Sequence, residues 1–139
     1  MKTNKILIGT LAGGVSFFFL GWLVYGILLK DFYAANFNQC SMLAMENMVW
    51  WAMIVSNLVS AYFLVTILNW SGSSGVMDAF KKSLIIGLLI GLYMDLSFYS
   101  MTTTYNSMGA MFSDIVIGTI FTGVVGAIIG WAMGMVGKD

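Results

Sequence analysis

Residues 6 to 29 read ILIGTLAGGVSFFFLGWLVYGILL, and this run of 24 residues without a charge decides the fold. About 20 helical residues cross the hydrocarbon core of a bilayer, because each residue adds about 1.5 Å and every backbone polar group must bond within its own segment. Lys30 and Asp31 end the run. The stretch therefore predicts a membrane-spanning helix close to the N-terminus.

Three further apolar runs follow it, over about 48–70, 83–105 and 114–136. Small polar residues at 71–75 separate the second run from the third, and residues 106–113 are predicted to form a short turn before the fourth. The sequence therefore predicts an all-α fold, an integral membrane four-helix bundle. Residues 1–139 form a single transmembrane domain with an outer loop at 30–47.

Composition supports a membrane environment and excludes several functions. Hydrophobic residues make up 60% of the chain and charged residues 9%, with a mean hydropathy of +0.91, whereas soluble domains carry about 25% charged residues. With neither Arg nor His, the chain offers no basic patch for nucleic acid. Cys40 is the single cysteine, so no intramolecular disulfide and no zinc, haem or iron-sulfur ligand set is expected. We expect no cofactor and no metal, and the 12 Met residues are interpreted as packing.

The lysines predict the orientation, because cationic residues next to a span are retained in the cytoplasm. One lysine, Lys30, lies on the loop between the first two spans. Five lie on the opposite side: Lys2, Lys5, Lys81, Lys82 and Lys138. Both termini are therefore predicted to be cytoplasmic.

Small residues at four-residue spacing predict close helix packing. Lipid is as apolar as leucine, so helices associate in a bilayer mainly by close van der Waals approach and polar contacts. The fourth span carries such a series, and the third begins a second one at Gly87 and Gly91. The series of the fourth span is Gly118, Thr122, Gly126, Gly130 and Gly134. We interpret both as intramolecular packing, with a dimer interface or a pore lining as the alternatives.

Asp95 lies near the middle of the third predicted span, where an ionised carboxylate costs roughly 2.5 to 3.5 kcal/mol or more. Aligning the spans by depth predicts a polar layer around it, made of Asn57, Thr122 and Ser16. Two interpretations stay open. Asp95 takes up a proton or a cation from an outward-facing cavity, or it is protonated or hydrogen-bonded and fixes the helix register.

Further polar residues at the outer ends of the spans could form a vestibule above Asp95. Glu46 and Asp114 are each predicted at the start of a helix, and Tyr25 and Thr103 fall at the same level. Capping of the helix N-termini by the two acids is the simpler interpretation, since a helix dipole favours negative charge there. The loop between the first two spans is rich in Phe, Tyr, Met and Leu. We therefore expect it to lie on the outer leaflet or to cap the bundle, partly as helix.

Several short segments resemble one protein family. They are 21–26 (GWLVYG), 61–62 (AY), 87–91 (GLLIG), 102–106 (TTTYN) and a glycine-rich last span ending at Trp131. The chain resembles the short four-span bacterial membrane proteins of unknown function, of the domain of unknown function 1761 type. The resemblance covers nearly the whole chain. It implies four helices and a multi-pass setting in the bacterial inner membrane, and it supplies no activity.

No nucleophile with a base at a recognisable spacing is found in the sequence, and no phosphate-binding glycine loop. An enzyme is therefore not expected. The sequence favours a non-enzymatic accessory or structural subunit whose partners are the lipid bilayer and a possible homo-oligomer or larger membrane complex. The alternative is a small proton- or cation-linked transporter or channel centred on Asp95.

Overall fold

The computed structural model describes residues 2–38 and 45–136, and these residues are almost entirely helical. Helix α1 covers Lys2–Leu23 and continues as a π-helical turn, Val24–Leu28. A short helix α2 follows at Lys30–Asn36, and a 3-10 turn at Met45–Asn47 precedes α3 at Trp50–Trp70. Helices α4 and α5 cover Gly75–Met101 and Met108–Val136. The fold is all-α, as predicted.

Four of these helical segments are long and apolar enough to cross a membrane: Thr3–Leu28, Trp50–Trp70, Gly75–Met101 and Met108–Val136. The shortest has 21 residues, which is about the length that spans a hydrocarbon core. Large apolar side chains remain exposed on their surfaces, for example Trp51 at 72% and Leu89 at 60%. Such surfaces suit lipid, and the architecture is that of a small multi-pass membrane protein.

Two helices differ in their bounds from the apolar runs of the sequence. Helix α4 begins at Gly75, eight residues before the apolar run at 83. Its charged first turns are helical because Asp78 accepts a 3.0 Å hydrogen bond from the backbone N–H of Ser74 and pairs with Lys82 at 3.0 Å. Helix α5 begins at Met108, since the Ser107 hydroxyl caps it by accepting a 3.1 Å bond from Ala110 N–H.

The helices pack in the order α3, α1, α5, α4. The α4–α5 contact is the most extensive, and α1 packs against both α3 and α5, whereas α3 touches α4 and α5 only slightly. Several glycines stand where α4 and α5 meet: a Cβ at Gly87 would lie 2.7 Å from the Cβ of Thr122, and one at Gly130 would lie 2.6 Å from the Cβ of Ala79. The two backbones therefore approach closely there.

The two ends of the bundle differ. The turn end is formed by the turn at 71–74, the start of α1 and the end of α5, and it holds the apolar core. This core consists of Leu64, Val65, Leu68, Ala79, Val125, Ile129 and Met133. The cap end is formed by α2 and the loop 102–107 between α4 and α5. It holds the candidate site.

Candidate functional site

Asp95 lies on α4 near the cap end and is 8% exposed. Among residues 3–38 and 46–136 it is the one charged side chain that is buried. The face of α4 that carries it also carries Gly87 and Gly91, two turns and one turn earlier, and this face packs against α5. The helix packing that the glycines permit therefore directs the carboxyl toward α5.

Asp114 on α5 supplies a second carboxyl beside the first. A Cβ at Gly91 would lie 3.5 Å from Ile115 Cγ2, so α4 and α5 are in close contact at the residue that follows Asp114. The Asp95 side chain lies beside Asp114 and the Tyr105 hydroxyl and interacts electrostatically with both. The central feature of the site is this carboxyl pair, Asp95 and Asp114.

Tyrosine hydroxyls surround the carboxyl pair. Tyr33 of α2 donates a 2.7 Å hydrogen bond to Asp114 Oδ1, and Tyr105 donates a 3.5 Å bond to Asp114 Oδ2. Tyr25 of the π-helical turn stacks edge-on against Tyr33, with ring centroids 5.2 Å apart. Phe37 lies between Tyr33 and Tyr105, at 4.6 and 4.9 Å between ring centroids. Aromatic rings therefore cover the pair on the side of the cap.

A short backbone ladder holds the two tyrosine-bearing segments together. Phe37 and Tyr105 form an antiparallel bridge. On either side of it Asn38 N–H donates to Thr104 O at 2.8 Å and Asn106 N–H donates to Asn36 O at 2.9 Å. The Asn106 side chain adds a 3.0 Å bond to Ala35 O. This ladder fixes α2 over the end of the α4–α5 pair and so positions Tyr33 above Asp114.

The π-helical turn at the end of α1 positions Tyr25. Leu29 N–H donates to Val24 O at 2.8 Å, five residues back, in place of the usual four. The turn ends at Leu28, and α2 begins two residues later at Lys30. Single π-helical turns inside α-helices are frequent at functional sites. Here the turn brings a ring from the first span to the carboxyl pair.

The tyrosines outside the spans remain proton donors. Burial, the hydrogen bond to Asp114 and the charge of that carboxylate raise the pKa of Tyr33 well above its ordinary value. Burial and the neighbouring Asp95 raise the pKa of Tyr105 in the same direction. Both hydroxyls therefore stay protonated at neutral pH and donate to the carboxyl pair.

The arrangement has a net negative charge to balance. Two ionised carboxylates side by side in a low-dielectric helix bundle repel each other, so full ionisation of both is costly unless another group compensates the charge. In the described part of the chain the one ion pair is Lys82 with Asp78, at the turn end. No lysine in the described part of the chain is paired with Asp95 or Asp114. The same residues contain no group of three or more His, Cys, Asp or Glu that could hold a metal ion.

The polar layer expected around Asp95 is not formed as the depth alignment predicts. The Ser16 hydroxyl donates to Ala12 O at 2.7 Å, and the Thr122 hydroxyl donates to Gly118 O at 2.8 Å, each within its own helix. Thr122 packs opposite Gly87, two turns of α4 away from Asp95.

Asn57 lies on α3, which packs mainly against α1 and only slightly against α4. The alignment assumed equal depth from predicted span ends, and α4 and α5 begin earlier than those ends.

The predicted vestibule residues divide into two groups. Asp114 and Tyr25 lie at the carboxyl pair. Thr103 accepts a 3.0 Å hydrogen bond from the Asn38 side chain, and Glu46 is exposed in the 3-10 turn.

The capping interpretation of the two acids was wrong. Helix α5 begins at Met108 and is capped by Ser107, six and seven residues before Asp114. Helix α3 begins at Trp50, four residues after Glu46.

The sequence did not single out Tyr33 as a site residue. Tyr33 is 81 residues away from Asp114 in the chain, so no local spacing connects the two. The usable signal was the apolar, tyrosine-bearing loop itself, which was expected to cap the bundle. Residues 39–44, which include Cys40, lie outside the described residues.

Comparison with known proteins gives no relative of this chain. No family model, no curated protein and no solved structure matches it.

Proposed function

We propose that this chain is a non-enzymatic membrane protein that takes up a proton or a cation at the carboxyl pair, as a small proton- or cation-linked transporter or channel. The observation that supports it is the burial of Asp95 beside Asp114 with no lysine in reach among the described residues. Ionisable groups inside a membrane are costly, and they mark ion pathways and proton relays more often than not.

The tyrosines add to this proposal. A hydroxyl that donates to a carboxylate stabilises its ionised form, and a hydroxyl can also pass a proton between neighbouring oxygens. Tyr33 and Tyr105 each donate to Asp114, and Tyr105 also faces Asp95. A proton that arrives from the cap end therefore meets tyrosine hydroxyls that are hydrogen-bonded to Asp114, and Asp95 lies beside that carboxyl.

The proposal also assigns the sides of the membrane. The lysine distribution predicts that both termini are cytoplasmic, and on that prediction we propose that the cap end faces outward and the carboxyl pair loads from outside. The family resemblance stays a prediction, and with it the bacterial inner membrane as the location.

A second candidate function is an accessory or structural subunit. The close α4–α5 approach at Gly87, Gly126 and Gly130 favours it, because such contacts hold a small bundle together without requiring a transport cycle. In this candidate the carboxyl pair and its tyrosines fix the cap end, and the lipid-facing surfaces of the other helices join a homo-oligomer or a larger membrane complex.

Reconstitution into proteoliposomes tests the proposal. Asp95→Asn keeps the shape and hydrogen bonding of the side chain but removes ionisation, and Asp114→Asn does the same for its partner. We expect proton or sodium flux under an imposed potential, and a loss of at least about tenfold in each variant. Asp31→Asn, an exposed acid at the same end, is the matched control and should retain the flux.

Two outcomes would refute the transport proposal. One is a wild-type chain that folds but carries neither ion, and the other is an Asp95→Asn flux equal to that of wild type. Loss of assembly in Asp95→Asn together with an inactive wild type would favour the structural subunit.

A further inference from the structure

A crevice at the turn end lies outside the carboxyl site. It is a cavity of about 140 Å³ between α1, the 71–74 turn, α4 and α5. Its polar lining includes Lys5, Ser73 and Ser74, and glycines from two helices, Gly75, Gly130 and Gly134, open the space beside them. The cavity is therefore bordered by one cationic side chain, two hydroxyls and the first turn of α4.

The groups that line this crevice are suited to a negative charge. Lys5 has no ion-pair partner among the described residues. Ser74 occupies the N-cap position of α4, and its backbone N–H donates to Asp78 at 3.0 Å. Its own side chain makes no capping bond, so the backbone N–H groups that follow it lack a side-chain cap. The Ser73 hydroxyl oxygen is buried and lies beside the Asp78 carboxylate, with which it interacts. Asp78 itself is paired with Lys82 at 3.0 Å.

An apolar groove continues from the crevice along α5. It has a volume of about 520 Å³, shares Gly75, Gly130 and Gly134 with the crevice, and is also lined by Trp131 and Met135. A Cβ at Gly134 would meet no atom within 4 Å, and Trp131 is 58% exposed. The groove therefore lies open on the surface that faces the bilayer.

We propose that the crevice and groove together bind one anionic phospholipid. The phosphate contacts Lys5 and the first N–H groups of α4, and an acyl chain lies along α5 over Gly130 and Gly134. Basic pockets between spanning helices bind lipid headgroups in this way. The continuity of the charged crevice with an apolar groove favours a lipid over a free anion, which would use the crevice alone.

The test compares lipid retention by native mass spectrometry of the full chain released from nanodiscs of mixed phosphatidylglycerol and phosphatidylcholine. We expect one retained phosphatidylglycerol, and a decrease in its retention of about fivefold in Lys5→Gln. Lys81→Gln removes the same charge from an exposed position at the same end and should retain it. Gly134→Leu fills the groove and should also lower retention.

Gly118→Leu is the matched control for the groove, because a Cβ there also meets no atom within 4 Å. The proposal is wrong if Lys5→Gln and Lys81→Gln lower retention equally, which would indicate general attraction of charge. It is also wrong if Gly134→Leu behaves like Gly118→Leu. If Lys5→Gln does not fold, the Tm of the wild-type protein is measured with phosphatidylglycerol and with inorganic phosphate. An equal increase in Tm with the two ligands would overturn the lipid assignment.

Discussion

The turn end and the cap end of this bundle are held together by different interactions. At the turn end, Val125 and Ile129 are fully buried against neighbouring helices and glycines bring α4 and α5 into contact. At the cap end, polar contacts add to the aromatic packing: a tyrosine bond to Asp114, an isolated backbone bridge between Phe37 and Tyr105, and a buried acid. In lipid, apolar contact alone gives little preference for a partner helix, so close approach fixes the turn end and hydrogen bonds fix the cap end.

This difference suggests a division of labour between the two ends. The turn end has no buried charge among its described residues, and it determines which helices are neighbours. The cap end carries an acid that is costly to bury, and several donors that offset that cost. Substitutions at the two ends should therefore fail differently, by loss of the bundle at one end and by local opening at the other.

The largest effect is expected from Gly126→Leu. A Cβ at Gly126 would overlap the side chain of Ser83 and lie 3.3 Å from Ala79 O. Ser83 is fully buried, so it has no room to move and α4 must shift away from α5. We expect a loss of more than about 3 kcal/mol, or no folded protein, because overpacking at a helix contact forces backbone movement. Unfolding in mixed detergent measures it.

Gly118→Leu is the control for this substitution on the same helix. It adds the same side chain where a Cβ meets no atom within 4 Å, and it should cost little. Equal stability of the two variants would show that close α4–α5 packing is not what holds the turn end.

The sequence predicted the helices well and their relative depth poorly. Charge-free runs such as 6–29 identify spans because the bilayer requires a fixed apolar length. The same rule predicts that α4 begins at 83, because it counts apolar residues only. The helix begins earlier because the Asp78–Lys82 pair and the Ser74–Asp78 bond stabilise its polar first turns. That error shifted Thr122 to the level of Asp95, although the helix contacts place it beside Gly87.

The candidate site was predicted only in part for a related reason. Asp95 is visible from the sequence because an acid within an apolar run is unusual. Asp114 and Tyr25 were named as members of a vestibule, but the bond between Tyr33 and Asp114 depends on how α2 folds back over the bundle. Such a contact follows from tertiary packing, and one sequence carries no local spacing that encodes it.

A smaller, local effect is expected from Tyr33→Phe at the cap end. It removes the 2.7 Å hydrogen bond to Asp114 and keeps the ring that packs on Tyr25 and Phe37. Hydrogen bonds to charged groups contribute about 1.5 to 3 kcal/mol. We expect faster amide exchange in α2 and in the loop 102–107, with little change in the amides of the turn end.

Tyr62→Phe removes the same hydroxyl from an exposed tyrosine of α3, 55% exposed, and should leave exchange unchanged. If Tyr33→Phe instead accelerates exchange throughout the chain, the two ends unfold as one unit and the division between them is wrong.

The smallest effect is expected in alkaline solution, again at the cap end. The pKa of Tyr33 and Tyr105 is raised above the ordinary value of 10.0, by burial and by the neighbouring carboxyls. A group that holds its proton more tightly when folded stabilises the folded state fully below its unfolded pKa and loses that contribution as the pH rises through its folded pKa. The cap end should therefore be unaffected at neutral pH and loosen only above about pH 10.

Tyrosinate absorbance measures this directly. In denaturant the tyrosines ionise near pH 10. In the folded chain, part of the increase in tyrosinate absorbance should occur at a higher pH than in denaturant. Tyr33→Phe and Tyr105→Phe should each decrease the absorbance change that occurs at this higher pH, since each removes one of the hydroxyls that donate to Asp114. If both variants titrate like wild type, the hydroxyls do not face the carboxyls as described, and the proton route from the cap end to Asp95 has no first step.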